Sequence, residues 1–417
     1  VLPRAGDPRL HLAVVIVSLQ VLGQVAFDFD LSIAQILISV GTCAALEVAI
    51  VLRQQRVLMW PASALLTGNG VAFILRVPGT EHGDWWSING WWIFAGTAAV
   101  SLLSKYVIRF RGAHVFNPSN FGLVLCFLLL GPGRADPLDF WWGPMSPALV
   151  LALAIIVGGG FAILSRLGLL VMALSFWLVF VAAVAVIAAT EHAMTARWHL
   201  GPVDGLHFWT VLAFSPEILV FLFFMLTDPK TVPAERRARV AFAVLVALLA
   251  ALLIGVASTE FWAKVAVLGA LTLACAGRPV LALLPTTRLA PRMIAPLAAA
   301  GLVAYPGALV VAGLQTRPSA TAPQPLAQVV RLPQIVIAPS RGVDSKLDRP
   351  TARRIAADLQ KRRPSSRLRR ITLWLETGPG QSAVIVARLE GRGGQRETVE
   401  VALSPSGYRA ARVRREA

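Results

Sequence analysis

Eleven runs of apolar residues, most of them long enough to cross a lipid bilayer, decide what this 417-residue chain can fold into. They lie near 11–27, 31–52, 58–75, 91–108, 118–131, 147–165, 169–190, 211–226, 240–257, 262–276 and 294–314. A hydrocarbon core about 30 Å thick needs roughly 17–25 apolar residues in a helix. With no water there, only helices and closed barrels satisfy their own backbone. The reading is an all-α polytopic membrane bundle of about 10–11 transmembrane helices. Residues 11–27 resemble a signal peptide in length, but Asp28, Phe29 and Asp30 follow in place of a small-residue cleavage site. Charged residues make up 15% of the chain, well below the roughly 25% of soluble proteins, which argues against a soluble enzyme. Cys43, Cys126 and Cys275 each sit inside an apolar run. Neither a disulfide scaffold nor a metal site is predicted from them.

Charge divides the chain in two. Residues 315–417 hold 20 basic and 8 acidic side chains, so this quarter carries +12 of the formal +17. Lys and Arg in short loops mark the cytoplasmic side of a membrane protein. With the N-terminus inside, fifteen of them, from Arg4 to Arg292, fall on the inner side and four on the other (Arg76, Arg134, Arg197 and Lys264). Trp85, Trp86, Trp141 and Trp142 fall on the poor side and read as an interfacial aromatic belt. An odd number of crossings then puts the tail outside, in the periplasm or cell exterior. The domain reading is a transmembrane domain over 1–314, a Pro/Ala/Thr/Gln linker over 315–330, and an extracytoplasmic basic α+β domain over 331–417. Within the last, 349–363 has helical spacing, and 371–376, 383–390, 398–403 and 408–413 alternate as strands. No stacking motif interleaves its arginines, so nucleic acid is not the expected partner. Anionic headgroups or an acidic protein suit it better.

Polar residues inside an apolar body are costly and tend to be functional. Two places stand out, both on the Arg-rich side. One is His114-Val-Phe-Asn-Pro-Ser-Asn120, where Asn117 and Pro118 suit a helix start. The other is Phe223-Phe-Met-Leu-Thr-Asp-Pro-Lys-Thr231, where a helix should stop at Asp228-Pro229. Read as plain chemistry, these are caps and snorkelling charges, or the broken helix ends at which bundles bind polar heterocycles and ions.

The pair, together with Ser63-Ala-Leu-Leu-Thr-Gly68 ahead of a Trp-rich segment, resembles the signatures of the NqrB/RnfD family of membrane electron-transport subunits. Arg111-Gly-Ala-His-Val-Phe-Asn117 and Pro137-Leu-Asp-Phe-Trp-Trp142 are most similar to its stand-alone, enediyne-biosynthesis-associated (UnbU-like) branch. The resemblance covers roughly residues 10–290. It implies a bundle in a bacterial plasma membrane that passes electrons between redox partners through flavin, riboflavin or FMN. It implies cofactor-binding roles for His114, Asn117, Asn120, Thr227 and Asp228. The family also esterifies FMN to a Thr in an Asp-Gly-x-Ser-Gly-Ala-Thr stretch. Here the matching place reads Trp142-Gly-Pro-Met-Ser-Pro-Ala148. The acceptor Thr is absent, so the flavin is expected to be non-covalent, with Ser146 the acceptor if there is one. A transporter or permease on the same scaffold, and a membrane anchor acting through its tail, are the competing readings.

Three other features bear on function. Glu217, next to Pro216, is the best intramembrane acid for a gating or proton role. Glu47, about a turn and a half from Arg53, reads as snorkelling inward, with a proton relay as the less ordinary alternative, and Glu260 with Lys264 as a surface-facing i,i+4 pair. No GxGxxG, P-loop, HExxH or GxSxG is present, so no soluble-type catalytic centre is predicted.

Overall fold

The computed structural model describes residues 7–138, 145–196, 202–283, 304–314, 334–339, 347, 349–361, 368–377, 383–391, 396–404 and 407–414. The chain divides into two compact units, Val1–Arg317 and Pro318–Ala417. The expected linker and the Trp141–Trp142 loop lie outside the described residues.

The first unit is helical: α1 (Pro8–Ala26), α2 (Ile33–Gln55), α3 (Ala62–Ile74), α4 (Trp91–Val107), α5 (Pro118–Leu130), α6 (Pro147–Leu167), α7 (Leu170–Ala188), α8 (Gly205–Phe214), α9 (Pro216–Val220), α10 (Arg236–Gly255), α11 (Glu260–Leu283) and α12 (Ala304–Leu314). Residues 221–225 continue α9 as one π-helical turn. Seven spans among the described residues are long and apolar enough to cross a membrane, counting Gly205–Met225 as one. The architecture is that of a multi-pass membrane protein. The other apolar runs form shorter helices. At 13 residues each, α3 and α5 reach only about 20 Å, less than a bilayer core.

Short helices leave backbone groups that something else must satisfy. Beyond α3, strand β1 (Leu75–Arg76) pairs antiparallel with β4 (Asp136–Pro137), which follows α5. The Leu138 amide donates to the Ile74 carbonyl at 2.6 Å. The Arg76 guanidinium folds back to donate to the carbonyls of Ala72, Phe73 and Leu75, placing a cation on the negative end of α3. Both half-helices therefore end in one small ladder.

One pairing scheme occurs twice along the chain. α2 packs on α3 and α4, α4 on α5, and α1 on α3. Likewise α7 packs on α8 and α10, α10 on α11, and α6 on α9. Close approach is bought by small residues: Ser39 Oγ donates to the Gly68 carbonyl at 2.9 Å, and a Cβ at Gly68 would meet the backbone of Ser39 and Val40 at 2.7 Å. Gly160 on α6 likewise makes room for the Phe223 ring.

Polar groups in the loops are tied in too. Ser32 and Gln35 form a capping box at the start of α2, and the Gln35 amide donates to Thr80 Oγ1 and the Asn89 carbonyl, each at 2.8 Å. Behind α7 comes a short hairpin of β5 (Ala193–Thr195) and β6 (Pro202–Asp204).

The second unit follows the sequence reading closely. Helix α13 (Arg349–Lys361) packs Ile355, Ala356 and Leu359 against Ile371, Leu373, Leu389 and Val399. The sheet is ordered β11-β10-β9-β8-β7, from strands Gly407–Arg414, Arg396–Ser404, Ala383–Gly391, Leu368–Thr377 and Gln334–Ile337. The last of these was not expected. It lies parallel to β8 in register Ile335 to Ile371, so β7, α13 and β8 form a crossover unit.

His192, between α7 and β5, is wholly buried. Its ring packs edge-on against Phe208, with centroids 4.9 Å apart, and reaches the backbone of Ala257 and Gly313. Burial pushes the imidazole down from about 6.5 to about 4. An unfolded chain binds that proton near pH 6.5, so the stability from neutral His192 is present above that pH and is lost as the pH falls towards 4. The melting temperature of the detergent-solubilised protein should therefore fall between pH 7 and pH 5. In His192→Gln the fall should be smaller.

Candidate functional site

The two polar motifs singled out in the sequence meet. A tight hairpin, β2 (Arg109–Phe110) and β3 (Ala113–His114), turns on Arg111 and Gly112, both at positive φ. It delivers His114 to the end of α4 and the chain into α5. Asn117 caps α5: its Oδ1 accepts from the Asn120 amide at 3.2 Å and from Ser119 Oγ at 3.0 Å. Its Nδ2 donates across 108 residues to the Met225 carbonyl at 3.2 Å. That carbonyl belongs to the π-helical turn, where the α-helical ladder has broken.

Below that turn the chain folds sharply over Thr227–Pro233. Thr227 Oγ1 donates to the Phe223 carbonyl at 2.6 Å. The Asp228 carbonyl accepts from the Thr231 and Val232 amides, and its Oδ1 accepts from the Lys230 amide at 3.1 Å. The other carboxylate oxygen lies 3.9 Å from His114 Nε2. Arg278, on α11, donates to the Thr231 carbonyl. Asn120 also reaches α11, donating to the Leu268 carbonyl at 3.0 Å and to Thr272 Oγ1 at 2.9 Å. His114, Asn117, Asn120, Thr227 and Asp228 thus lie at one junction of α5, the π-turn and α11. Two buried atoms there, Asn120 Oδ1 and His114 Nε2, have no hydrogen bond among the described residues. Ser146 lies elsewhere, accepting from the Leu149 amide at 3.2 Å as the cap of α6.

A second polar centre lies where the 205–225 span breaks. Ser215 is extended (ψ 143°) and caps a new helix start at Pro216. This puts Glu217 in the first turn of α9, where the helix dipole favours a carboxylate. Its Oε1 is 3.6 Å from Lys264 Nζ on α11. The pair lines a cavity of about 50 Å³ whose other walls include Phe73, Ile74, Leu138, Phe221 and Leu268.

Two of the sequence expectations need correction. Glu260 and Lys264 do not face outwards, since both are 5% exposed. Their i,i+4 spacing puts them on one face of α11 without saying whether that face meets lipid or protein, and α11 packs on α5 and α10. Glu47 does not snorkel to a membrane surface, since it is 6% exposed. It pairs instead with Lys105 of α4, whose Nζ is 2.9 and 3.1 Å from the two carboxylate oxygens and 3.3 Å from Ser63 Oγ. Lys105 and Lys264 were the partners missed. Each stands in or beside an apolar run, and that isolation was the available signal. Neither a scan of family models nor a search of curated proteins gives a match.

Asn117 holds two elements at once, so its replacement should cost more than a cap. Asn117→Leu forfeits about 1 kcal/mol of capping and leaves a buried carbonyl without its donor, at about 1–3 kcal/mol more. Ser146→Ala should lose only its cap, about 1 kcal/mol. Thermal unfolding of both variants in detergent measures the difference.

Proposed function

We propose that this chain is an electron-transport subunit of the NqrB/RnfD type, with a non-covalent flavin held at the α5–π-turn–α11 junction. One observation carries the reading: two motifs of the resemblance, separated by about a quarter of the chain, come together through the Asn117–Met225 bond and the approach of His114 to Asp228. The residues there suit a flavin edge, which presents hydrogen-bond donors and acceptors side by side. Asn120 Oδ1 offers an acceptor, and His114 Nε2 either role according to its tautomer. Asn117, its amide already committed on both sides, shapes the site. Bound there, the flavin would supply one- or two-electron redox chemistry. The chain's own part is to orient the ring and keep water from it. With an inner N-terminus and an odd number of crossings, the junction faces the bacterial cytoplasm. The basic α+β domain then faces outwards, towards anionic headgroups or an acidic redox partner.

A second reading, a permease without redox chemistry, is favoured by the break at Ser215–Pro216. Broken helices with a charged pair at the break are what transporter bundles use to bind solutes. Spectroscopy separates the two. The purified protein should be yellow, acid should release all of its flavin, and the denatured polypeptide should not fluoresce. His114→Leu with Asn120→Leu should lose the flavin and still elute as a folded monodisperse protein. A colourless preparation from cells replete in flavin would remove the electron-transport reading and leave the permease.

A further inference from the structure

We propose that the turn between α2 and α3, with the arginines around it, binds an anionic glycerophospholipid at one end of the membrane domain. The turn, 56–61, has no regular secondary structure. Its central side chains, Val57, Leu58, Met59 and Trp60, are all apolar and between 42% and 73% exposed. The amides of these four residues make no hydrogen bond among the described residues. Backbone of that kind cannot enter hydrocarbon, where nothing would satisfy it. Side chains of that kind gain nothing from standing in water. Both demands are met at one depth, the boundary between headgroups and acyl chains. There water and phosphate reach the backbone, and lipid chains cover Leu58 and Trp60.

Charge selects the kind of lipid. Lys105, in the last turn of α4, reaches both Glu47 of α2 and Ser63 in the first turn of α3. The chain beyond Glu47, beyond Lys105 and before Ser63 therefore gathers at one end of the bundle. Arg53 stands in the last turn of α2, and Arg56 ends that helix in the left-handed region, at φ 55°. Arg109 and Arg111 belong to the β2–β3 hairpin that follows α4. All four are exposed, and none is paired with a carboxylate among the described residues. Glu47 is buried and already engaged by Lys105. Guanidinium forks suit the non-ester oxygens of a phosphate, which they can grip two at a time. A zwitterionic headgroup would bring a further cation into this cluster, and an anionic one brings none. A free phosphate has the charge but no chain to cover the turn. The site shares no residue with the α5–π-turn junction and does not depend on the electron-transport reading.

The test uses the full chain in detergent, with phosphatidylglycerol and phosphatidylcholine of the same acyl chains added in equal amounts. Native mass spectrometry counts the bound lipid. The wild-type chain should retain phosphatidylglycerol over phosphatidylcholine by at least about tenfold. Arg53→Gln, Arg56→Gln, Arg109→Gln and Arg111→Gln together should remove that preference. Arg134→Gln, Arg166→Gln, Arg236→Gln and Arg237→Gln, a matched loss of charge at exposed arginines elsewhere in the same unit, should keep it. Excess glycerol 3-phosphate should not displace the lipid. The depth of the turn is read separately in liposomes, with Cys43, Cys126 and Cys275 replaced by Ser and Met59→Cys carrying a fluorophore. Lipids brominated near the carbonyl end of the chain should quench the label, and aqueous iodide should not. The proposal is overturned by a wild-type chain without preference, or by a preference that the first set keeps or the second set loses. Displacement by glycerol 3-phosphate, or a label that iodide quenches and bromine does not, overturns it equally.

Discussion

A bilayer core offers a backbone no water to bond to, and every break in a helix there must be closed by the protein itself. Much of this structure follows from how three breaks are closed. The end of α3 is closed by a two-residue ladder with β4 and by the Arg76 guanidinium. The gap between α8 and α9 is closed by Ser215. At the π-turn, the Met225 carbonyl is closed by the Asn117 side chain. Each closure brings a polar group to a depth where an unbroken helix would present only hydrocarbon. The candidate sites are where the breaks are.

Helix α11 connects these breaks. Along one helix, Lys264 meets Glu217, the Leu268 carbonyl and Thr272 meet Asn120, and Arg278 meets the Thr231 carbonyl. A shift of α11 would therefore be felt at both the α5–π-turn junction and the buried pair.

The helices were legible because apolar runs of bilayer length have few alternative structures, and Asn117-Pro118 and Ser146-Pro147 carried their own start signals. The α+β unit was legible from the alternation in Ile371–Glu376 and Thr398–Leu403. What escaped was the partner of each charge. Lys264 could have faced lipid headgroups, Glu260 or α9, and only packing of α11 against the broken span chooses. Glu47 was read as snorkelling inward, where the α2–α4 contact gives it Lys105 as a buried partner. Strand β7 escaped because Gln334–Ile337 is short and its partner lies more than thirty residues on, across α13.

The central claim is that the His114–Asn120 and Phe223–Thr231 motifs form one junction in the membrane-embedded protein. Cross-linking tests it most directly. With Cys43, Cys126 and Cys275 replaced by Ser, His114→Cys and Asp228→Cys are introduced together, and membranes are treated with a short bifunctional thiol reagent. A protease site placed in the loop between α6 and α7 then reports the link. The account predicts that the two fragments stay joined after cleavage, and that pairing His114→Cys with Ser146→Cys leaves them unjoined when the site lies between those positions. Fragments that separate freely for the His114–Asp228 pair would contradict it.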